Sequence, residues 1–364
     1  MPAKLGTITN KFPFARAYLG RNIVYEELKK LQKLIYYGTT TNLSQARISA
    51  KAGTSVGNYA LFGGGANRGY STAYTNVDTY TSTLVKGTAP DLSSRRYNIG
   101  ATSVGDYALF GGGVLQGSFY ATVDTYNKEL VKGTATNLDS ARWFLGTTSV
   151  GDYAIFAGGN NNSTAFSVVD AYNKNLVKSN PTNLSTPKRY YQATSVGDYA
   201  LFGGGQQTLD NSGALSSVEV YDKNLVKRDT LQMNEKRGNN IATSVGGYAL
   251  IGGGINASGT YLYSIEAFDK SLVKTSITNL SHPHCASQGI NVGDYAIFPG
   301  GTSSSVTAIV DTYNSNLVKG TTNNLSVARS NLGAASVGNY ALVMGGATTG
   351  NPSANVDVYQ VIEE

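Results

Sequence analysis

The chain has 364 residues, 43 of them glycine, with 41% hydrophobic, 10% aromatic and only 14% charged residues, a composition too apolar for a disordered chain and rich in turn-forming glycine. No apolar run approaches the length of a membrane-spanning helix. One cysteine, Cys285, and two histidines, His282 and His284, exclude an intrachain disulfide and a histidine-rich metal centre.

In chain order, Met1-Pro2-Ala3-Lys4 is not followed by the apolar stretch of a secretory signal, so none is expected. Residues 1–31 stand outside everything that follows, and Glu26-Glu27-Leu28-Lys29-Lys30-Leu31 predicts a short helix. The stretch Ile35 to Arg47 then aligns without gaps on Leu130 to Arg142, so it reads as one strand and turn of a repeat. The dipeptide Tyr-Ala recurs at Tyr59, Tyr107, Tyr153, Tyr199, Tyr248, Tyr295 and Tyr340, in steps of 45 to 49 residues. Each copy reads Ser-Val-Gly-Asp-Tyr-Ala-Leu-Phe-Gly-Gly-Gly or a variant, then a variable loop, Val-Asp-Thr-Tyr, Leu-Val-Lys and a Thr/Asn turn.

Four short alternating or apolar runs per copy, with no helical period, predict four antiparallel strands. In the third copy they fall near 144–150, 153–157, 167–172 and 174–179. The last copy ends at Glu364 after three strands, and the strand it lacks stands at the start of the repeat region. A linear solenoid has no use for that complementation. The expected fold is an all-β, seven-bladed propeller over residues 32–364, closed by the N-terminal strand and preceded by a 1–31 extension.

Residues present in every copy read as framework. The lysines Lys86, Lys132, Lys178, Lys227, Lys274 and Lys319 fall on the outermost strands, where charge blocks edge-to-edge pairing. Their number equals the formal net charge of +6, so the basic balance is no argument for nucleic acid. A second basic set, Arg47, Arg96, Arg142, Lys188, Arg237, His284 and Arg329, should approach the same face as the acidic set Asp78, Asp124, Asp170, Glu219, Glu266, Asp311 and Asp357. Two readings stay open: charge-assisted pairs within the frame, or a ring of donors for an anionic ligand.

Specificity should reside where the copies differ. Three consecutive copies follow the basic position with aromatic residues: Arg96-Tyr97, Arg142-Trp143-Phe144 and Lys188-Arg189-Tyr190-Tyr191. The adjoining loops add Tyr70, Tyr74, Phe119, Tyr120 and Phe166. Aromatic faces beside guanidinium groups suit sugars, peptides or proteins, and Trp143 is the only tryptophan. The competing reading is that these rings only pack along the channel.

The order of basic residue, Tyr-Ala-Leu-Phe-Gly-Gly-Gly, variable loop and Val-Asp-Thr-Tyr resembles the kelch repeat, with Leu-Val-Lys in place of the usual tryptophan near the fourth strand. That resemblance implies a binding platform, a minority of such propellers being enzymes. Ala15-Arg16-Ala17-Tyr18-Leu19-Gly20-Arg21-Asn22-Ile23-Val24-Tyr25 resembles a short segment near the start of many bacteriophage tail and virion proteins. It implies an attachment role, against which stands a local hairpin covering one propeller face.

Catalytic signatures are not met. Two neighbouring histidines cannot supply the ligand set of kelch-type copper oxidases, and His282-Pro283-His284-Cys285 reads as a turn with unpaired histidines. The sialidase box Ser-x-Asp-x-Gly-x-Thr-Trp is missing, and the glycine runs lack the Lys-Ser/Thr of a phosphate loop. The expectation is a non-catalytic module without cofactor or metal, in a virion or tail. Its partners would be other virion proteins through residues 1–31 and a cell-surface glycan or protein receptor, with neither nucleic acid nor membrane insertion. The alternatives are a cytoplasmic bacterial kelch adaptor and a sugar-processing enzyme centred on Gln206-Gln207-Thr208-Leu209-Asp210 and Glu235, in the copy that departs most from the repeat.

Overall fold

A computed structural model describes residues 14–19, 22–27, 31–48, 52–208 and 210–364. It is a seven-bladed propeller of four-stranded antiparallel blades. Blade 1 runs Gly53–Val56, Tyr59–Gly63, Val77–Thr81 and Lys86–Ala89 from channel to rim. Blade 7 takes Gly333–Val337, Tyr340–Met344 and Val356–Glu363 from the C-terminus and its outer strand, Gln32–Thr39, from the N-terminus. The ring is thereby closed as the repeat arithmetic requires.

The gapless alignment of that closing strand needs one amendment. Tyr36 pairs with Tyr359 and Gly38 with Val358, so Tyr37 is extruded as a bulge. Tyr36, not Tyr37, therefore stands where other blades carry the outer-strand lysine. The outer strand's partner residue in blade 2, for comparison, is Lys132 opposite Tyr126.

The second strands read as apolar runs because they are covered on both faces by neighbouring blades; Ala60, Leu61 and Phe62 are all buried. Each phenylalanine meets a third-strand tyrosine edge-on, as Phe62 does Tyr80 and Phe110 does Tyr126. The tyrosine then crosses to the preceding blade: Tyr80 Oη donates to Thr41 O at 2.8 Å and Tyr126 Oη to Pro90 O at 2.8 Å. The 3–4 turns hold Leu84, Leu130, Leu176, Leu225, Leu272 and Leu317 at φ of 61–64°. That left-handed backbone costs a leucine energy, offset by packing against the cores at the blade junctions.

The glycine runs have a steric cause. A Cβ on Gly64 (φ +67°) would lie 2.6 Å from Arg96 O, and one on Gly112 (φ +72°) 2.5 Å from Arg142 O. The next glycine in each case hydrogen-bonds that carbonyl, Gly65 N to Arg96 O and Gly113 N to Arg142 O. Gly346 N to Arg47 O, at 2.8 Å, repeats the latch across the seam between blade 7 and blade 1.

Outside the ring, Phe14–Leu19 and Asn22–Glu27 pair as an antiparallel hairpin. Glu26 and Glu27 are thus strand residues, which corrects the helix expected from Glu26 onward; Leu28–Lys30 lie outside the described residues. Removing residues 1–31 is expected to leave the melting temperature of the propeller within a few degrees of the full chain. Removing residues 1–39 should abolish the cooperative transition, because blade 7 then has an unpaired third strand; thermal denaturation followed by circular dichroism distinguishes the two.

Candidate functional site

Each blade buries a contact between the basic and the acidic set. Arg96 Nη2 lies 2.5 Å from Asp124 Oδ2, Arg142 Nη2 2.6 Å from Asp170 Oδ2 and Arg329 Nη2 2.5 Å from Asp357 Oδ2, with both members of each pair buried. Arg47 and Asp78 repeat the contact. Blade 4 is looser, Lys188 Nζ standing 4.0 Å from Glu219, and so is blade 5, with 3.6 Å between Arg237 and Glu266. In blade 6 His284 Nε2 faces Asp311 Oδ2 at 2.8 Å while Nδ1 faces Gly300 O at 2.5 Å. His284 is therefore not the unpaired turn histidine expected from the sequence. His282 accepts the His284 N–H at Nδ1 and is held to a pKa of about 4 by burial and by its neighbour His284.

The outer-strand lysines do not stand out from the rim as edge guards. They fold back over the same carboxylates, at 3.2 Å for Lys86–Asp78, 2.7 Å for Lys178–Asp170 and 2.8 Å for Lys227–Glu219. In blade 7 the Tyr36 hydroxyl donates to Asp357 at 2.7 Å instead, and burial with that hydrogen bond pushes its pKa up to about 12. A loop N–H completes each carboxylate, for example Ser44 N on Asp78 and Ser326 N on Asp357. Burial opposes the ionised form of Asp311, yet His284, Lys319 and Ser281 hold its carboxyl well below the usual range.

Arg96, Arg142 and Lys188 are consequently fully buried, which corrects their assignment to a ligand-binding surface. The basic ring belongs to the frame and offers no open donors to an anion.

The aromatic residues of blades 1 to 4 come together at the mouth of the channel. Tyr70 packs on Tyr97 with ring centroids 5.0 Å apart, and Tyr97 meets Trp143 edge-on at 6.1 Å. Trp143 then contacts Phe119 at 6.3 Å and Phe144 at 4.2 Å. Phe144 lies 3.9 Å from Tyr190, over whose ring the Arg189 guanidinium also stands, 4.6 Å from the centroid. Arg189 itself is buried and donates to Thr208 O. Tyr70 is exposed, Tyr97 buried, and Phe119, Trp143, Phe144 and Tyr190 half-buried. Tyr74, Tyr120 and Phe166 are half-buried and stand outside this ring-to-ring chain, their backbone N–H groups bonded to Gly65, Gly113 and Gly159. Tyr191 is core, its hydroxyl donating to Ala157 O.

Below the arc, a cavity of about 100 Å³ opens into the channel, lined among others by Asn98, Phe144, Tyr190, Gln192 and Gln288. Gln192 Oε1 accepts from Ala242 N and Gly289 N, and Gln288 bridges Ala334 N and Gly53 O. These two glutamines brace inner strands of different blades across the channel, and sequence reasoning passed over them. The signal was present: both stand four residues after the basic position, where blades 2, 3 and 7 have glycine.

In the departing blade, Asp210 accepts from the Thr208 and Ser212 hydroxyls, and Glu235 accepts from Ser264 Oγ and lies 3.7 Å from Arg237. Leu209 lies outside the described residues. Among the described residues no group of three or more His, Cys, Asp or Glu gathers as metal ligands would, and no helix is long and apolar enough to cross a membrane.

No protein-family model matches the chain, and no curated protein sequence does. Among solved structures it is similar to the one titled "Structure of YjhT", at a TM-score of 0.60 and 12% identity, over 76% of this chain and 99% of that one. At that identity the likeness speaks for the propeller fold alone.

Asp170→Ala should cost about 3–5 kcal/mol, because it strands the Arg142 guanidinium in the interior. Asp152→Asn, which breaks the exposed Lys174–Asp152 pair, should leave the urea midpoint almost unchanged. Urea titration of both variants measures the contrast. Lys188 is pushed down to about 8 by burial, with Glu219 opposing and Lys227 adding to the fall. The unfolded chain then binds that proton more tightly, so stability should rise from about pH 8 towards pH 10. Above pH 10 the buried tyrosines, raised by burial, reverse the trend as unfolding lets them ionise. Lys188→Met should remove the rise; urea midpoints measured across this range check it.

Proposed function

We propose that the chain is a non-catalytic recognition module of a bacteriophage virion or tail, which attaches through residues 1–31 and presents the blade 1 to blade 4 mouth of a kelch-like propeller to the cell surface. The supporting observation is the aromatic arc. Contacting rings running from Tyr70 to Tyr190 are more than the frame needs, since blades 5 to 7 close the same ring with Gly238, Cys285 and Ser330 at the position of Tyr97 and Trp143. Half-exposed aromatic faces provide stacking area at small entropic cost, as binding surfaces use them. The virion assignment rests on the likeness of Ala15 to Tyr25 to segments that open tail proteins, and the kelch assignment on the repeat pattern.

The purified chain should bind intact host cells or their envelope fraction. Trp143→Ala should weaken that binding at least tenfold with the far-ultraviolet spectrum unchanged. A chain lacking residues 1–31 should keep cell binding and lose incorporation into particles. Binding unaffected by Trp143→Ala, or incorporation without residues 1–31, contradicts the reading.

A further inference from the structure

The position two residues after the basic residue has a left-handed backbone wherever it is described: φ is 51° at Asn98, 52° at Phe144, 51° at Tyr190, 53° at Asn239, 54° at Ala286 and 50° at Asn331. Asparagine tolerates that region; bulky aromatic residues there are outliers whose strain the surroundings must offset. Only blades 3 and 4 place aromatics at it, and these two rings face one another across 3.9 Å at the channel mouth. They stand over the cavity that Asn98 also lines. Asn98 is 5% exposed and its Oδ1 is buried without a partner, an uncommon state for a buried amide. Among the described residues, none lining this cavity is Asp, Glu, Lys, Arg or His.

On the reading of the arc as a recognition surface, we infer that the cavity at the channel mouth, lined by the paired Phe144 and Tyr190 rings, is a subsite for one neutral sugar ring of a surface glycan. An aromatic rim matches the apolar face of a pyranose, and Asn98 is a lining amide whose Oδ1 has no hydrogen-bond partner in the free chain. The amides of Gln192 and Gln288 lie deeper, tied up as braces between blades. A carboxylated or phosphorylated sugar would bring a charge into a lining without a counter-charge, at a heavy desolvation cost.

The test uses the full chain on oligosaccharides ended by glucose, galactose, N-acetylglucosamine or rhamnose, beside the same chains ended by sialic acid. Trp143, the only tryptophan, touches Phe144, so its emission reports on this site alone. Phe144→Asn and Tyr190→Asn carry the residue that blades 2, 5 and 7 use at that backbone position, so they should fold at least as stably as the parent. The expected result is a neutral terminus that shifts Trp143 emission and binds at least tenfold more weakly to either variant and to Asn98→Ala. Binding lost in Trp143→Ala but kept in Phe144→Asn and Tyr190→Asn overturns the subsite and leaves the arc. Preference for the sialic-acid termini overturns the neutral class, and no binding to any glycan overturns the subsite together with the glycan form of the proposed function. Loss of stability in Phe144→Asn with binding unchanged makes the two rings structural.

Discussion

The structure depends on a carboxylate buried in each blade between a basic residue and an outer-strand lysine, or in blade 7 the Tyr36 hydroxyl. Asp170 shows the arrangement: Arg142 reaches it from the channel side, Lys178 from the rim, and the Asp139 N–H from the loop between them. An isolated buried carboxylate would be untenable. Enclosed in this way, it fixes the loop that joins one blade to the next, because the arginine's carbonyl is at the same time held by the preceding blade's glycine, Gly113. The residue that neutralises the charge is thus also the one that sets the spacing between blades.

That coupling explains why the glycine runs and the basic position recur together. A side chain on Gly112 would displace Arg142 O, and a displaced Arg142 would leave Asp170 with one cation fewer. Substitutions across blades keep the scheme while changing its chemistry. His284 replaces arginine with its two ring nitrogens facing Asp311 and the Gly300 carbonyl, and the Tyr36 hydroxyl replaces lysine where two ends of the chain meet. With the frame anchored below, the residues immediately after the basic position are free to vary. Blades 2 to 4 place Tyr97, Trp143, Phe144 and Tyr190 there, including two aromatic rings on a backbone that asparagine fits better.

Much of this was legible in the sequence. A repeat of 45 to 49 residues with four short runs dictates blade and ring, and the unmatched strand at each end dictates the closure. The bulge at Tyr37 was not legible, since a gapless alignment conceals an extruded residue: Gly38 keeps the register of the repeat while Tyr36 moves into the place of the lysine. Nor could the sequence decide between a paired and an open basic ring: Arg142 and Asp170 stand 28 residues apart, and only packing shows that both are sealed from water. The aromatic cluster was visible as composition, but its continuity from Tyr70 to Tyr190 depends on contacts between blades. The left-handed backbone under Phe144 and Tyr190 leaves a trace only in the asparagines that occupy the same place elsewhere.

A double-mutant cycle in blade 3, with Arg142→Met and Asp170→Leu studied singly and together by urea denaturation, tests the central dependence most directly. If the buried pair carries the frame, each single change should destabilise strongly while the double variant loses far less than their sum, giving a coupling of about 2 kcal/mol or more. Additive losses would contradict the account, since they would mean that the two side chains act independently in holding the blade.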